Sequence, residues 1–426
     1  MLGLALLYLL AHLFPEFLIA AQIATGALTL GLLLEYFLLF FQGEIAGSRQ
    51  LKERLSNGDE NPILLNLESS FPFEAQVEVY DELPIGWQVR DFEWRGKLPA
   101  AGSLEIPYSY RPKKRGAYTF GSIQVLASWQ LGLVKRRFSL ATEQEVQVYP
   151  SYLSMLKYEY LAISNTLIHS GIKKIRRIGQ HTEFEKIKEY VAGDDFRTIN
   201  WKASARKNKL MANVFQDERS QQVYCIIDKG RVMDQAFEGM NLLDYAINAT
   251  LVLSNIAIKK YDKAGLITFD ENETQMLAAD RRSGHMMKIQ EMLYRQESRF
   301  LESDFDRLYL RVKSRIPQRS LLIFYTNFDT VPSMERRLPY LKNLAKQHLL
   351  LVVFFDNTET LDLLNKKAEN LHQVYRKMVA EKMRFEKEQI VSELRKHGII
   401  SLLSSPEDLT INTINRYLEL KARGLI

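Results

Sequence analysis

Hydrophobic and polar positions fall into distinct regimes along the chain. From Met1 to Phe41 the sequence is almost continuously apolar and holds no Lys or Arg. A membrane span takes about 20 apolar residues, so the run holds nearly two. They are separated at Phe14-Pro15-Glu16-Phe17, where Pro15 and Glu16 suit a tight turn at the far membrane face. A secretory signal needs a basic n-region and a short apolar core, and neither is present. Arg49, Lys52 and Arg54 follow the run, which by the positive-inside rule puts that side in the cytoplasm. The pattern predicts a transmembrane helical hairpin over 1–43 with both ends cytoplasmic. Because Met1–Phe14 is short for a crossing, the alternative is one span after a short interfacial segment. Glu35 is costly inside a span. It is expected to face the first helix or lie near the interface.

A polar connector is expected over 44–62, with turn signals at Asn57-Gly58-Asp59 and Asn61-Pro62. From 63 to 150 short segments alternate apolar and polar residues, among them "FEAQVEVYDEL", "SLEIPYSY" and "QEVQVYP". Pro, Gly and Asn punctuate them, which predicts a small antiparallel β-sandwich-like module. Tyr152 to Ile175 reads as partly helical, at the head of a segment running over 151–220.

Over 221–426 the period switches between strand and helix. "VYCIID", "AGLITF", "TQMLAA", "SLLIFYT", "HLLLVVFFD" and "GIISLLS" read as strands. "NLLDYAINATLVLSNIAIKK", "HMMKIQEMLYR", "DFDRLYLRVKSR", "MERRLPYLKNLAKQ" (interrupted at Pro339), a charged stretch from about Asn365 to Lys396 and the chain end from about Pro406 read as helices. Buried strands alternating with helices predict an α/β, doubly wound, mostly parallel sheet. "HLLLVVFFD" is the most apolar strand and is expected at its centre. Ligands in such folds bind beyond the carboxyl ends of the strands, where Asp228, Asp270, Thr326 and Asp356 stand.

With 46% hydrophobic and 25% charged residues, the 426-residue chain has a globular balance. A net charge of +6 is modest for this length and does not call for nucleic acid. Lys173, Lys174, Arg176 and Arg177 form a basic cluster that suits a solvated loop or, more sharply, anionic lipid headgroups. No aromatic residues are interleaved for base stacking. Cys225 is the only cysteine, so no disulfide can form within the chain, and a buried inert thiol is expected.

Phosphate-loop, dinucleotide, zinc-protease and nucleophile-elbow motifs are absent. A hard-cation site is conceivable after "VYCIID". There von Willebrand factor A domains carry D-x-S-x-S, completed by a Thr and an Asp from later loops. Here Gly230 and Val232 take the serine positions, Ser303 is the candidate for the threonine, and Asn327 replaces the later aspartate. Only Asp228 keeps a carboxylate, flanked by Lys229 and Arg231, which are candidates to neutralise it. Mg²⁺ wants carboxylate support, so no metal and no cofactor are expected.

"EFEKIKEYVAGDDFRTINWKASARKNKLMANVFQDE" resembles the hallmark of the bacterial domain of unknown function 58 family. The matching residues are Glu183, Phe184, Tyr190, Gly193, Asp194, Arg197, Ile199, Trp201, Ser204, Ala205, Arg206, Leu210 and Glu218, with Lys188 for the more usual Arg. "RPKKRGAYTFGSIQVLASWQLGLVKR" is similar to the family's upstream segment, although Ser128–Leu133 lacks its Asp and Pro. The resemblance implies a von Willebrand factor A-like sheet after the motif and association with a MoxR-type AAA+ ATPase.

Together these features predict a non-enzymatic, membrane-anchored scaffold or adaptor in the cytoplasmic membrane, with its soluble domains in the cytoplasm and a degenerate metal-ion-dependent adhesion site. The ATPase or a client protein is the expected partner, the bilayer contact lies in 1–43, and nucleic acid is not a partner. The alternative is a metal-dependent hydrolase using Asp194 and Asp195. Adjacent extended residues point to opposite faces, so that reading needs a special turn at Gly193. The motif itself is expected to be a clasp around a buried Trp201, joining the β-module to the following sheet or exposing a partner-reading edge. The helix near Leu371, Val374, Met378, Phe385, Ile390 and Leu394 packs on a core or binds a partner.

Overall fold

The computed structural model describes residues 2–15, 17–87, 92–140, 143–163, 183–191, 196, 199–216, 220–298, 300–356 and 370–426. Two compact units divide the chain, Met1–Tyr149 and Pro150–Ile426.

The first unit opens with α1 (Leu2–Leu13) and α2 (Phe17–Phe41). At 1.5 Å per residue α1 is about 18 Å long, short of the ~30 Å hydrocarbon layer. α2 reaches about 37 Å by the same rise. Among the described residues it is the one helix long and apolar enough to cross a membrane, and 6% of its apolar window is buried. One helix of spanning length therefore stands where two spans were expected. The Tyr8 and Thr25 hydroxyls, 3.0 Å apart, link the two helices.

Ten strands follow among the described residues: β1 (Ile45–Gln50), β2 (Arg54–Ser56), β3 (Asn61–Ser69), β4 (Ala75–Asp81), β5 (Glu93–Leu98), β6 (Ser103–Tyr110), β7 (Gly116–Phe120), β8 (Ile123–Ser128), β9 (Lys135–Leu140) and β10 (Gln144–Tyr149). They form sheets β1-β3-β6, β2-β10-β7 and β5-β4-β8-β9, antiparallel except for the β2–β10 pair. The alternating burial of β3 and β4 explains the pattern: inward Leu65, Leu67, Val77 and Val79 meet between the first and third of these sheets. Each such side chain contributes about 1.5–3 kcal/mol by burial. β1 and β2 lie inside the expected connector. Their pattern was obscured because an inward position of β1 is Arg49, a buried cation paired with Asp81 of β4 and donating to the Gly121 carbonyl at 2.9 Å.

In the second unit α3 (Tyr152–Ile163) packs on α5 (Leu242–Lys259). Asn248 Oδ1 accepts the Ser151 N–H at 2.9 Å, and Glu159 takes both Asn255 and Lys259. The motif segment contributes β11 (Glu183–Glu189), α4 (Trp201–Lys207) and β12 (Met211–Gln216), with β11 and β12 pairing antiparallel. β13 (Gln222–Asp228), the short pair β14 (Ala236–Phe237) and β15 (Met240–Asn241), β16 (Lys263–Phe269) and β17 (Thr274–Asp280) come next. They are followed by α6 (His285–Tyr294), α7 (Phe305–Arg315), β18 (Leu321–Tyr325), α8 (Val331–Gln347), β19 (Leu349–Phe355), α9 (Leu371–Lys396), β20 (Ile400–Ser404) and α10 (Leu409–Ala422).

The main sheet runs β17-β16-β13-β18-β19-β20, parallel apart from β17. Its four inner strands are buried on both faces, by α5, α6 and α10 on one side and α7, α8 and α9 on the other. β19 is interior but fifth in order, because continuous apolarity reports burial on both faces and not a central place. α8 is not interrupted at Pro339. Pro339 lies on the exposed side, where water can satisfy the freed carbonyl. Cys225 is buried in β13, and burial pushes its thiol up to about 12, as an inert thiol requires.

Candidate functional site at the strand ends and the motif

β13 has neighbours on both sides whose connections leave in opposite directions, so its carboxyl end lies at the switch point of the sheet. Asp228 ends that strand and is fully buried. Its Oδ1 accepts the Gly230 N–H at 2.8 Å and the Ser303 hydroxyl, and its Oδ2 accepts the Thr326 hydroxyl at 2.7 Å. Three protein donors thus satisfy this buried carboxylate. The structure places Ser303 beside Asp228, with Thr326 as a third member.

Gly230 starts the helical turn Arg231–Met233. A Cβ there would collide with Ser303 Oγ and sit 3.0 Å from Asp228 Oδ1, so the serine of the adhesion-site pattern has no room. Val232 turns into the apolar core. Neither Lys229 nor Arg231 neutralises Asp228. Lys229 Nζ lies 3.1 Å from Asp270 Oδ2, an ion pair without an aligned hydrogen bond, and Arg231 reaches Glu302 at the surface. Burial pushes Asp270 up, but the Glu273 and Asn272 backbone N–H groups and the Lys229 ammonium together hold its carboxyl below the usual range.

Asn327 Oδ1 accepts Lys387 Nζ from α9 at 2.6 Å, as well as the Phe328 N–H. The Lys387 ammonium also stands 5.6 Å from the Phe354 ring. Burial pulls it down to about 8, against the opposing charges of Asp329 and Asp356. The chain thus brings two ammonium groups of its own, Lys229 and Lys387, to the strand ends. Sequence reasoning missed Lys387, which lies 60 residues from Asn327 on a helix rich in other charged residues. Among the described residues no three His, Cys, Asp or Glu side chains are placed to hold a metal ion.

Among its described residues the family-like motif forms a local tie. Asn200 caps α4, its Oδ1 accepting the Ala203 N–H at 3.0 Å and its Nδ2 donating to Asn213 of β12 at 2.9 Å. The Ser204 hydroxyl donates to the Asn200 carbonyl and accepts the Met211 N–H, both at 2.8 Å. Asn208, with φ 53°, ends the helix in the left-handed region that Asn tolerates. Tyr190 joins through its N–H to the Leu210 carbonyl at 2.8 Å. The contacts are therefore a tie between α4 and β12, centred on Asn200 and Ser204. Asn immediately before a helical run is the signal that finds Asn200.

Trp201 is not the buried centre of this tie: it is 71% exposed. It occupies the first position of α4, while Ser204, one turn on, is buried. Arg206 is exposed. Gly193, Asp194, Asp195 and Arg197 lie outside the described residues, as do Glu218 and the basic cluster at Lys173–Arg177.

Residues 186–385 match the family described as "Protein of unknown function DUF58". A curated relative, the "Uncharacterized protein YeaD" of Bacillus subtilis (strain 168), is 26% identical over 274 residues, 61% of this chain and 64% of the relative. The match thus spans less than two thirds of that relative's length. Among solved structures, a CARDB domain from Pyrococcus furiosus is 11% identical over 26% of this chain and 97% of its own, with a TM-score of 0.20. An ASH/PapD-like domain of human CEP192 is 14% identical over 26% of this chain and 87% of its own, with a TM-score of 0.18. Residues 186–385 thus match the DUF58 family model from just inside the motif that opens at Glu183.

Proposed function

We propose that this chain is a membrane-anchored adaptor that presents a recognition surface to a protein partner and catalyses no reaction itself. In this reading α1 and α2 form the membrane anchor, both ends face the cytoplasm, and the second unit is a von Willebrand factor A-like domain with a degenerate adhesion site. A MoxR-type AAA+ ATPase is the proposed partner, with assembly or activation of a client protein as the outcome.

The observation that carries the reading is the exposed indole of Trp201, fixed on a short helix by the Asn200 cap and the Ser204 tie. A tryptophan on a rigid support, open to solvent, is the residue type that dominates protein interfaces. The strand-end site supports the same reading, because Asp228 already accepts from three protein donors. A second exposed apolar row, Leu371, Tyr375 and Met378 on α9, follows helical spacing and offers a further contact face.

The test is affinity purification of the full chain from its native membrane, with the recovered proteins identified by mass. Wild type is expected to bring down an AAA+ ATPase subunit. Trp201→Ala is expected to lose it while melting as wild type does. Recovery that is indifferent to Trp201 overturns the Trp201 face as the recognition surface, and a hydrolytic activity lost in Asp194→Asn with the fold intact overturns the adaptor in favour of the hydrolase.

A further inference from the structure

The turn between β8 and β9 rises alongside α2, and Glu35 holds it there. Glu35 is fully buried although it lies in an apolar helix. Its Oε1 accepts the Gly132 N–H at 2.9 Å, and its Oε2 accepts the Leu133 and Val134 N–H groups at 2.7 and 2.8 Å. The turn closes through the Gly132 N–H to the Trp129 carbonyl at 3.0 Å, and Gly132 has φ +68°, which favours glycine. Leu131 and Leu133 flank it, 59% and 42% exposed. Their Cδ1 atoms reach further along α2: a Cβ on Gly31 would meet Leu133 at 3.5 Å and Leu131 at 3.9 Å.

From Phe17, a hydrocarbon layer of ~30 Å takes about 20 residues of helix and ends near Phe37. Gly31 then lies roughly 9 Å inside that boundary. Tyr36, Phe37, Phe40 and Phe41 are exposed at the level where interfacial aromatic residues gather. We propose that the β8–β9 turn is a second membrane contact, dipping Leu131 and Leu133 into the acyl region of the same leaflet that α2 leaves. The idea rests on α2 crossing a bilayer.

The pairing solves two problems together. Backbone N–H groups at that depth have no water to bond. A carboxylate there is costly unless it is matched. Glu35 and the three N–H groups satisfy one another, and the leucines meet lipid. Arg136 secures the base of the turn by donating to the Leu39 and Gly43 carbonyls at 2.6 and 3.2 Å.

The test uses the full chain in phosphatidylcholine vesicles, with an environment-sensitive fluorophore on Leu131→Cys or, separately, on Leu30→Cys of α2. Cys225 is buried and does not compete for label. Nitroxide lipids are expected to lower emission at Leu131→Cys by about half, with aqueous iodide without effect, as for a site within the hydrocarbon layer. Adding Glu35→Ala is expected to release the turn and restore iodide quenching. If Leu30→Cys is quenched by lipid but Leu131→Cys by iodide, the turn is outside the membrane and the proposal fails alone. If Leu131→Cys resists both quenchers, protein covers it and the proposal also fails. If Leu30→Cys itself is quenched by iodide, α2 does not cross and the membrane reading falls with it.

Discussion

Replacing Lys387 by methionine should stabilise the second unit at neutral pH. The ammonium stands enclosed beside Asn327, and burial pulls it from 10.5 down to about 8. That gap corresponds to about 3 kcal/mol set against the folded state wherever the group is charged. Removing it also removes the 2.6 Å hydrogen bond to Asn327 Oδ1, a charge-assisted bond of about 1.5 kcal/mol. Asn327 Oδ1 still accepts the Phe328 N–H, so nothing is left unsatisfied, and methionine can lie against Phe354. The net gain is about 2 kcal/mol, which raises the melting temperature of a unit this size by roughly 4–8 °C. The sign of the pH dependence is fixed by the lowered value. Between about 8 and 10.5 the native state binds fewer protons than the unfolded chain, so stability rises with pH across that window. The penalty is complete below it. Lys387→Met should abolish the alkaline rise. Melts of detergent-solubilised wild type and variant at pH 7 and pH 10, followed by circular dichroism, decide it. If the variant melts lower at pH 7, Asp329 and Asp356 already compensate the ammonium and the reasoning is wrong.

Other outcomes follow from the same geometry. Asp81→Ala strands the buried Arg49 guanidinium and should cost the first unit about 3–5 kcal/mol in a denaturant melt, whereas replacing both partners by apolar residues should recover most of it. Asn200→Ala removes the α4 cap and should cost about 1 kcal/mol, with Asn200→Asp retaining most of the stability. Magnesium chloride should leave the melting temperature of wild type unmoved. An upward shift abolished by Asp228→Ala shows instead that the strand-end carboxylate takes up a cation.

What the sequence made legible depended on how local the cause was. The strands of the main sheet were readable because burial on both faces demands unbroken apolar runs, as in "VYCIID" and "HLLLVVFFD". β1 was not, because Arg49 occupies an inward position and only Asp81, 32 residues away, explains it. At the strand ends, Gly230 and Val232 were readable as lacking ligand oxygens. The hydroxyls that serve Asp228 come from Ser303 and Thr326, 75 and 98 residues downstream. Trp201 shows the opposite error. An indole among polar partners reads as a buried centre, yet Ser204 makes the tie to β12 while Trp201, at the head of α4, stays open to solvent.

Leu39, in the last turn of α2, belongs to the same apolar cluster as Phe71 of the β3–β4 connection and Phe138 of β9. The boundary between anchor and soluble part thus does not coincide with the end of the helix. A secreted or detergent-free fragment begun at Gly43 would carry a hole the size of a leucine in its centre, and it would lose the carbonyl of Leu39 that Arg136 grips. Begun one turn before Leu39, at Glu35, it would keep both, at the expense of a greasy stub. Solubility and integrity therefore pull the choice of cleavage point in opposite directions, and the unit can be freed from lipid only by keeping part of what once lay beside it.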